Sequence, residues 1–213
     1  MLDLLPPPLA LAGFVAAVAV LALTPGPDML LYLGKTVAQG RRAGFVTLAG
    51  ALSGILTHTM LVAVGLSALI AASAAAFTIV KIAGALYLVY LAYDAIRNGT
   101  RFSFRPDTGP ERLSALYLKG LLVNLLNPKI IVFFLTFLPQ FVSPDDANPT
   151  ARFFVLGVGF ILVAIPICTA QILLAGAFAG FLKRSPRATR AIDYVFAGVM
   201  GAFAIRLAFA EGK

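Results

Sequence analysis

The stretch LALTPGPDMLLYLGK, residues 21–35, decides the fold. It sets Pro25, Gly26, Pro27 and Asp28 inside an otherwise apolar run. A helix that crosses a membrane must satisfy its backbone internally, and each proline removes one donor. Pro25 and Pro27 thus deprive the carbonyls of Leu21 and Leu23 of their helical partners. Asp28 adds a charge whose insertion at mid-membrane costs at least ~2.5 kcal/mol unless it is paired or hydrated. Such a break is tolerated where protein buries it or where it lines a wet cavity. The stretch therefore reads as a broken membrane helix.

The remainder of the chain agrees. Of 213 residues, 60% are hydrophobic and only 12% charged, with a mean hydropathy of +0.94, too apolar for a soluble domain. Apolar runs at about 9–33, 44–69, 75–97, 114–139, 153–182 and 189–209 each suffice to cross ~30 Å of hydrocarbon, which takes ~20 residues. The expectation is an all-α polytopic membrane protein with six transmembrane helices in one integral domain, 1–213. The N-terminal MLDLLPPPLALAGF lacks the basic region of a signal peptide and reads as retained. The long polar connection NGTRFSFRPDTGPERL, 98–113, divides three spans (9–97) from three (114–209).

Lys and Arg gather in alternate connections. Lys35, Arg41, Arg42, Arg97, Arg101, Arg105, Arg112, Lys119, Lys183, Arg184, Arg187 and Arg190 fall on one side of a six-span arrangement, and Arg152, Arg206 and Lys213 on the other. Twelve against three predicts cytoplasmic basic connections and both termini outside. The net charge of +8 is thus a topology signal; the basic residues are not interleaved with stacking aromatics, and no nucleic acid is expected. The lone Cys168 reads as packing, and neither metal nor cofactor is expected.

With three spans per half, the halves must run in opposite directions. The second half has its own break in GLLVNLLNPKIIVFFLTFLPQF, with Asn127, Pro128 and Lys129 near the middle of the fourth span, where Pro128 frees the carbonyl of Asn124. Pro25 precedes Gly54 by 29 residues, and Pro128 precedes Gly157 by the same interval; the alternative offset aligns Pro27 with Pro128 and puts Asp28 opposite Lys129. The expected architecture is two inverted three-helix repeats with broken first and fourth helices and a site between the breaks. Half-helix ends suit a carboxylate, while freed carbonyls with Thr24, Asn124, Asn127 and Asp28 suit an ammonium group, so the pair suits a zwitterionic amino acid. Asp28 and Lys129 either pair with each other and lock the repeats, or serve cargo and proton coupling.

Other polar residues read less sharply. His58 is one turn beyond Gly54 and is either a satisfied interior residue or a proton relay. Lys81 lies inside the outer end of the third span, where it can snorkel or line the path; Asp94 reads as interfacial. Gly50, Gly54 and Gly157 are read as close helix contacts. Ser53 and His58 stand roughly 140° apart around one helix at 100° per residue, so no nucleophile and base face each other, and no enzyme is expected.

The segments TPGPDMLL, GRRAGFVTLAGALSG, KIAGALYLVYLA and NLLNPKIIVFFLTFLPQF, in this order and spacing, resemble the LysE/RhtB amino-acid exporter family, nearest its homoserine/threonine efflux branch. The resemblance implies a bacterial inner-membrane exporter of amino acids, driven by protons and assembled as a homodimer. It also implies that Pro25, Gly26, Pro27 and Asp28, with Asn127, Pro128 and Lys129, form its two signature breaks. Asp28 as the main acid in the cavity favours a small neutral cargo. The competing reading is a membrane scaffold that binds partner helices without transporting.

Overall fold

A computed structural model of the chain describes residues 4–98, 110–143, 146–177 and 185–210; within 74–98 and 185–210 some side chains, including those of Lys81 and Asp94, lie outside the described set. The described residues are helical, with no strand among them.

Helix α1 (Pro8–Leu23) stops at Thr24, and α2 (Pro27–Gln39) leaves at 52° to it. Pro27 stands at the first position of α2, where a missing N–H costs nothing and the fixed φ favours the helix. The prolines therefore start a helix as well as end one. Gly40, at φ 86°, joins α2 directly to α3 (Arg41–Ala72). That backbone conformation suits glycine, which has no Cβ to clash. It leaves one residue where a short polar loop was expected, because α2 continues to Gln39.

Helix α4 (Ala74–Asn98) closes the first half. The second half repeats the broken element: α5 (Leu113–Leu125) is followed by α6 (Pro128–Val132), which runs on as a π-helical turn (Phe133–Phe137) and a 3-10 turn (Leu138–Phe141), at 50° to α5. Pro128 is again at the first helical position, and the Asn127 side chain caps it by accepting from the Lys129 N–H at 3.0 Å. Helix α7 (Pro149–Leu173) is capped by Asn148, which accepts from the Ala151 N–H at 3.0 Å, and passes through Pro166 without ending. It is interrupted at Leu174, whose N–H bonds the carbonyls of Ala170 and Ile172, and residues 175–177 are again helical; the expected end at residue 182 lies outside the described residues. Helix α8 (Pro186–Ala210) follows.

α3 and α7 are each long and apolar enough to cross a membrane, and each bent pair meets the same test as one span. The chain is a polytopic membrane protein whose described elements are all helical.

Glycines set the closest crossing. A Cβ on Gly50 would stand 2.0 Å from the Tyr117 carbonyl oxygen, and one on Gly120 would stand 2.1 Å from that of Thr47, so α3 and α5 meet backbone to backbone. Gly54 fits against the Asn124 side chain, and Gly157 against Thr59. Two apolar clusters flank this crossing. The larger contains Phe14, Phe133, Phe134, Phe137, Phe153 and Phe160, with Phe133 stacked on Phe137 at 4.4 Å; the smaller joins Met29, Tyr32, Leu33, Leu48, Cys168 and Ile172.

Candidate functional site

The two breaks meet, and each is completed by the other. Asp28, in the first turn of α2, accepts through Oδ2 from Asn124 Nδ2 at 2.7 Å and from Asn127 Nδ2 at 3.0 Å. In exchange, Lys129 Nζ, in the first turn of α6, donates to the carbonyls of Leu21 at 3.1 Å and Thr24 at 2.7 Å. Gly26 is where this lysine passes, since a Cβ there would lie 3.0 Å from Nζ.

This exchange changes two expectations. Asp28 and Lys129 form no ion pair within 4.0 Å; each is held by polar groups of the opposite break. Nor does the Leu21 carbonyl await a cargo ammonium, because the protein's own ammonium occupies it. A buried carbonyl without a donor costs ~1–3 kcal/mol, and a fixed side chain removes that cost whether or not cargo is present. Thr24 bonds its own helix, from both N–H and hydroxyl to the Val20 carbonyl.

A cavity opens beside these groups, with about 520 Å³ of empty space that includes the open solvent at its mouth. Thr24, Gly26, Asp28, Asn124, Asn127 and Lys129 form its polar side. Met29, Leu48, Leu52, Ile55 and Phe160 form its apolar wall. Asp28 Oδ1 and Asn124 Oδ1 are buried with no hydrogen-bond partner. Two unpartnered acceptors at one cavity are costly unless something with N–H or O–H groups visits them.

His58 Nε2 lies 3.4 Å from the Asn124 carbonyl, which also accepts from the Asn127 N–H at 3.0 Å, and its ring packs on Phe134; His58 is not among the residues lining the cavity. Ser53 donates to the Ala49 carbonyl and accepts from the Tyr117 hydroxyl of α5, while His58 meets α5 farther along, at Asn124. The Lys81 side chain lies outside the described residues.

Sequence reading missed Gln171 and Tyr32. Gln171 Nε2 donates to the Ala22 carbonyl at 3.1 Å, and its Oε1 accepts from the Tyr32 hydroxyl, so α7 supplies a further donor to the open end of α1. A lone amide in the apolar run ILVAIPICTAQIL was the signal available. Glu111 was missed as well. It accepts from Lys119 at 2.6 Å and from Lys35, and these ammonium groups, Lys119 first, hold its carboxyl below the usual range. Their contribution is present above the unfolded carboxyl value of ~4.3 and is lost as pH falls through the lower folded value.

The family model for LysE type translocators matches residues 19–211, a span that holds both breaks. The chain belongs to the LysE family. It is therefore a transporter and not an enzyme. Among its LysE relatives is a homoserine/homoserine lactone efflux protein of Salmonella typhimurium, 30% identical over 184 residues, covering 86% of this chain and 88% of the relative. An uncharacterized membrane protein of Vibrio cholerae is 30% identical over 200 residues, covering 93% and 96%. A leucine efflux protein of Klebsiella pneumoniae is 29% identical over 201 residues, covering 93% of each. No solved structure matches this LysE chain.

Proposed function

We propose that this LysE-family chain exports small neutral amino acids or their close derivatives across the bacterial inner membrane in exchange for protons. The observation that carries the reading is the buried, unpartnered Oδ1 of Asp28, a residue that lines the cavity between the breaks together with Asn124, Asn127 and Lys129. That acceptor suits a cargo ammonium, while the apolar wall suits an uncharged side chain and offers nothing to a second charge. Lys129 uses two of its three N–H donors on carbonyls, leaving one for a cargo carboxylate. Relatives named for homoserine and leucine efflux support a neutral cargo.

Asp28 is the coupling residue in this proposal. A proton and a cargo ammonium compete for one carboxylate, so loading of one requires release of the other. The six spans form two inverted repeats that rock about the site, with both termini outside and the protein working as a homodimer. The packing supports the inversion: α3 lies on α7 and α4 on α8, while α1 packs on α7 and α8, and the segment after the second break packs on α3 and α4. Each broken helix thus leans on the opposite repeat.

Growth on toxic analogues of neutral amino acids tests cargo class. Cells producing the chain should tolerate concentrations several-fold higher than cells without it, and analogues of lysine and arginine should show no such difference. Equal sensitivity across the panel contradicts amino-acid export and is the outcome a scaffold would give.

A further inference from the structure

Helix α2 carries two buried polar side chains on one face, Tyr32 and Lys35, three residues apart. Tyr32 donates its hydroxyl to Gln171 on α7. Lys35, only 2% exposed, reaches the carboxylate of Glu111, which lies just before α5 and is 22% exposed. Glu111 is held twice more: Lys119 of α5 pairs with its other oxygen at 2.6 Å, and its N–H donates to Gln39 Oε1 at 3.0 Å. The far end of α2 is thus tied to α7, to α5 and to the chain entering α5.

These ties stand at one end of the cavity. Met29 and Tyr32 of α2, with Leu48 and Cys168, line the cavity and belong to the smaller apolar cluster. Phe160 of the cavity wall is in ring contact with Phe133 and Phe134 of the phenylalanine cluster, which continues through Phe14, Phe137 and Phe141. The start of α2 is a change of direction: α1 ends at Leu23, the backbone at Gly26 is extended, and α2 departs at 52°.

We propose that α2 is the gate of the cavity on the side of the 98–113 connection, hinged at Thr24–Gly26, with Lys35–Glu111 as its latch. The latch is built to open at low cost. When Lys35 leaves, Glu111 keeps Lys119, so the carboxylate is not left alone, and Lys35 at the end of α2 moves toward water. The Tyr32–Gln171 bond parts in the same movement, since both residues ride on one face of one helix. The proposal rests on the transport reading for its purpose, but its test does not depend on cargo.

Cys168, the only cysteine in the chain, lines the cavity behind α2 and is buried, so its labelling reports gate opening. Membrane vesicles of both orientations, bearing the full chain, are treated with a membrane-impermeant maleimide. The connection face is identified as the one on which trypsin cuts at the connection's arginines. Glu111→Gln and Lys35→Met should each raise the rate of Cys168 labelling from that face at least about fivefold, the low end of typical conformational coupling. Arg152→Gln, which breaks the 2.5 Å pair with Asp146 outside this region, should leave it unchanged. Should Lys35→Met fail to accumulate, Glu111→Gln on the partly exposed connection decides alone. An unchanged rate, or a rise only from the opposite face, overturns the gate. Raised labelling in a chain that moves no amino acid supports the gate and contradicts the transport reading, whereas normal export with unchanged labelling does the reverse.

Discussion

Lys129→Met is expected to abolish transport and to lower the unfolding temperature in detergent, with a smaller yield of monodisperse protein. The substitution keeps roughly the length of the side chain but removes the only donor that the Leu21 and Thr24 carbonyls share. Each buried acceptor left without a partner costs ~1–3 kcal/mol, so the pair loses ~2–6 kcal/mol. That range reaches the whole stability of a marginal protein, ~5–15 kcal/mol. Water entering the cavity recovers part of this, which is why the transport defect should exceed the stability defect. Lys129→Arg keeps the charge and donors but not the compact ammonium that fits beside Gly26, and should retain folding better than transport. Wild-type export by Lys129→Met contradicts the exchange between breaks as the basis of the site.

Gly120→Ala and Gly50→Ala should be the two most damaging alanine substitutions at the α3–α5 crossing. The added Cβ would sit 2.1 Å from the Thr47 carbonyl oxygen, or 2.0 Å from that of Tyr117. Neither neighbour is a flexible side-chain end, so the helices themselves must separate. Overpacking costs typically ~1–3 kcal/mol where side chains can adjust, and backbone against backbone lies at or above the top of that range. Gly65→Ala on the same α3 is the comparison: nothing lies within 4 Å of its Cβ, and alanine gains up to ~1 kcal/mol of helix propensity. Thermal unfolding of the three variants checks the ordering; equal midpoints for Gly120→Ala and Gly65→Ala contradict a backbone crossing.

The two breaks were legible because proline inside an apolar run has few physical meanings. The same property that interrupts a span at Pro25 and Pro128 starts the next helix at Pro27 and Pro128, and both roles follow from the missing N–H and the fixed φ. Asp28, Asn124, Asn127 and Lys129 were legible as a group because polar residues beside a membrane break need a reason to be there. Their partners were not. Whether Lys129 meets Asp28 or the carbonyls of α1 depends on ångström-scale placement of two bent helices, and no residue spacing along the chain encodes it. Gln171 escaped notice because its partners, Tyr32 and Ala22, are remote in sequence and on different helices. Lys35 and Glu111 looked like ordinary topology-setting and connection charges until α2 was seen to run to Gln39, which brings Lys35 inside the protein.

The separation of Asp28 from Lys129 bears on mechanism. Had the two paired, neutralising either would have freed the other at mid-membrane. Held instead by amides, Asp28 keeps one oxygen in place through Asn124 and Asn127 and leaves the other buried without a partner. Under the proposed function, that arrangement lets Asp28 bind and release while Asn124 and Asn127 keep their hold on it.

The most direct test of the account is counterflow of a labelled neutral amino acid into proteoliposomes holding the purified chain and the same unlabelled amino acid, for wild type and Asp28→Asn. The account predicts accumulation of label by wild type and its loss in Asp28→Asn, which keeps the hydrogen-bonding shape but not the charge. Undiminished counterflow by Asp28→Asn, or none by folded wild type across the neutral amino acids, would contradict it.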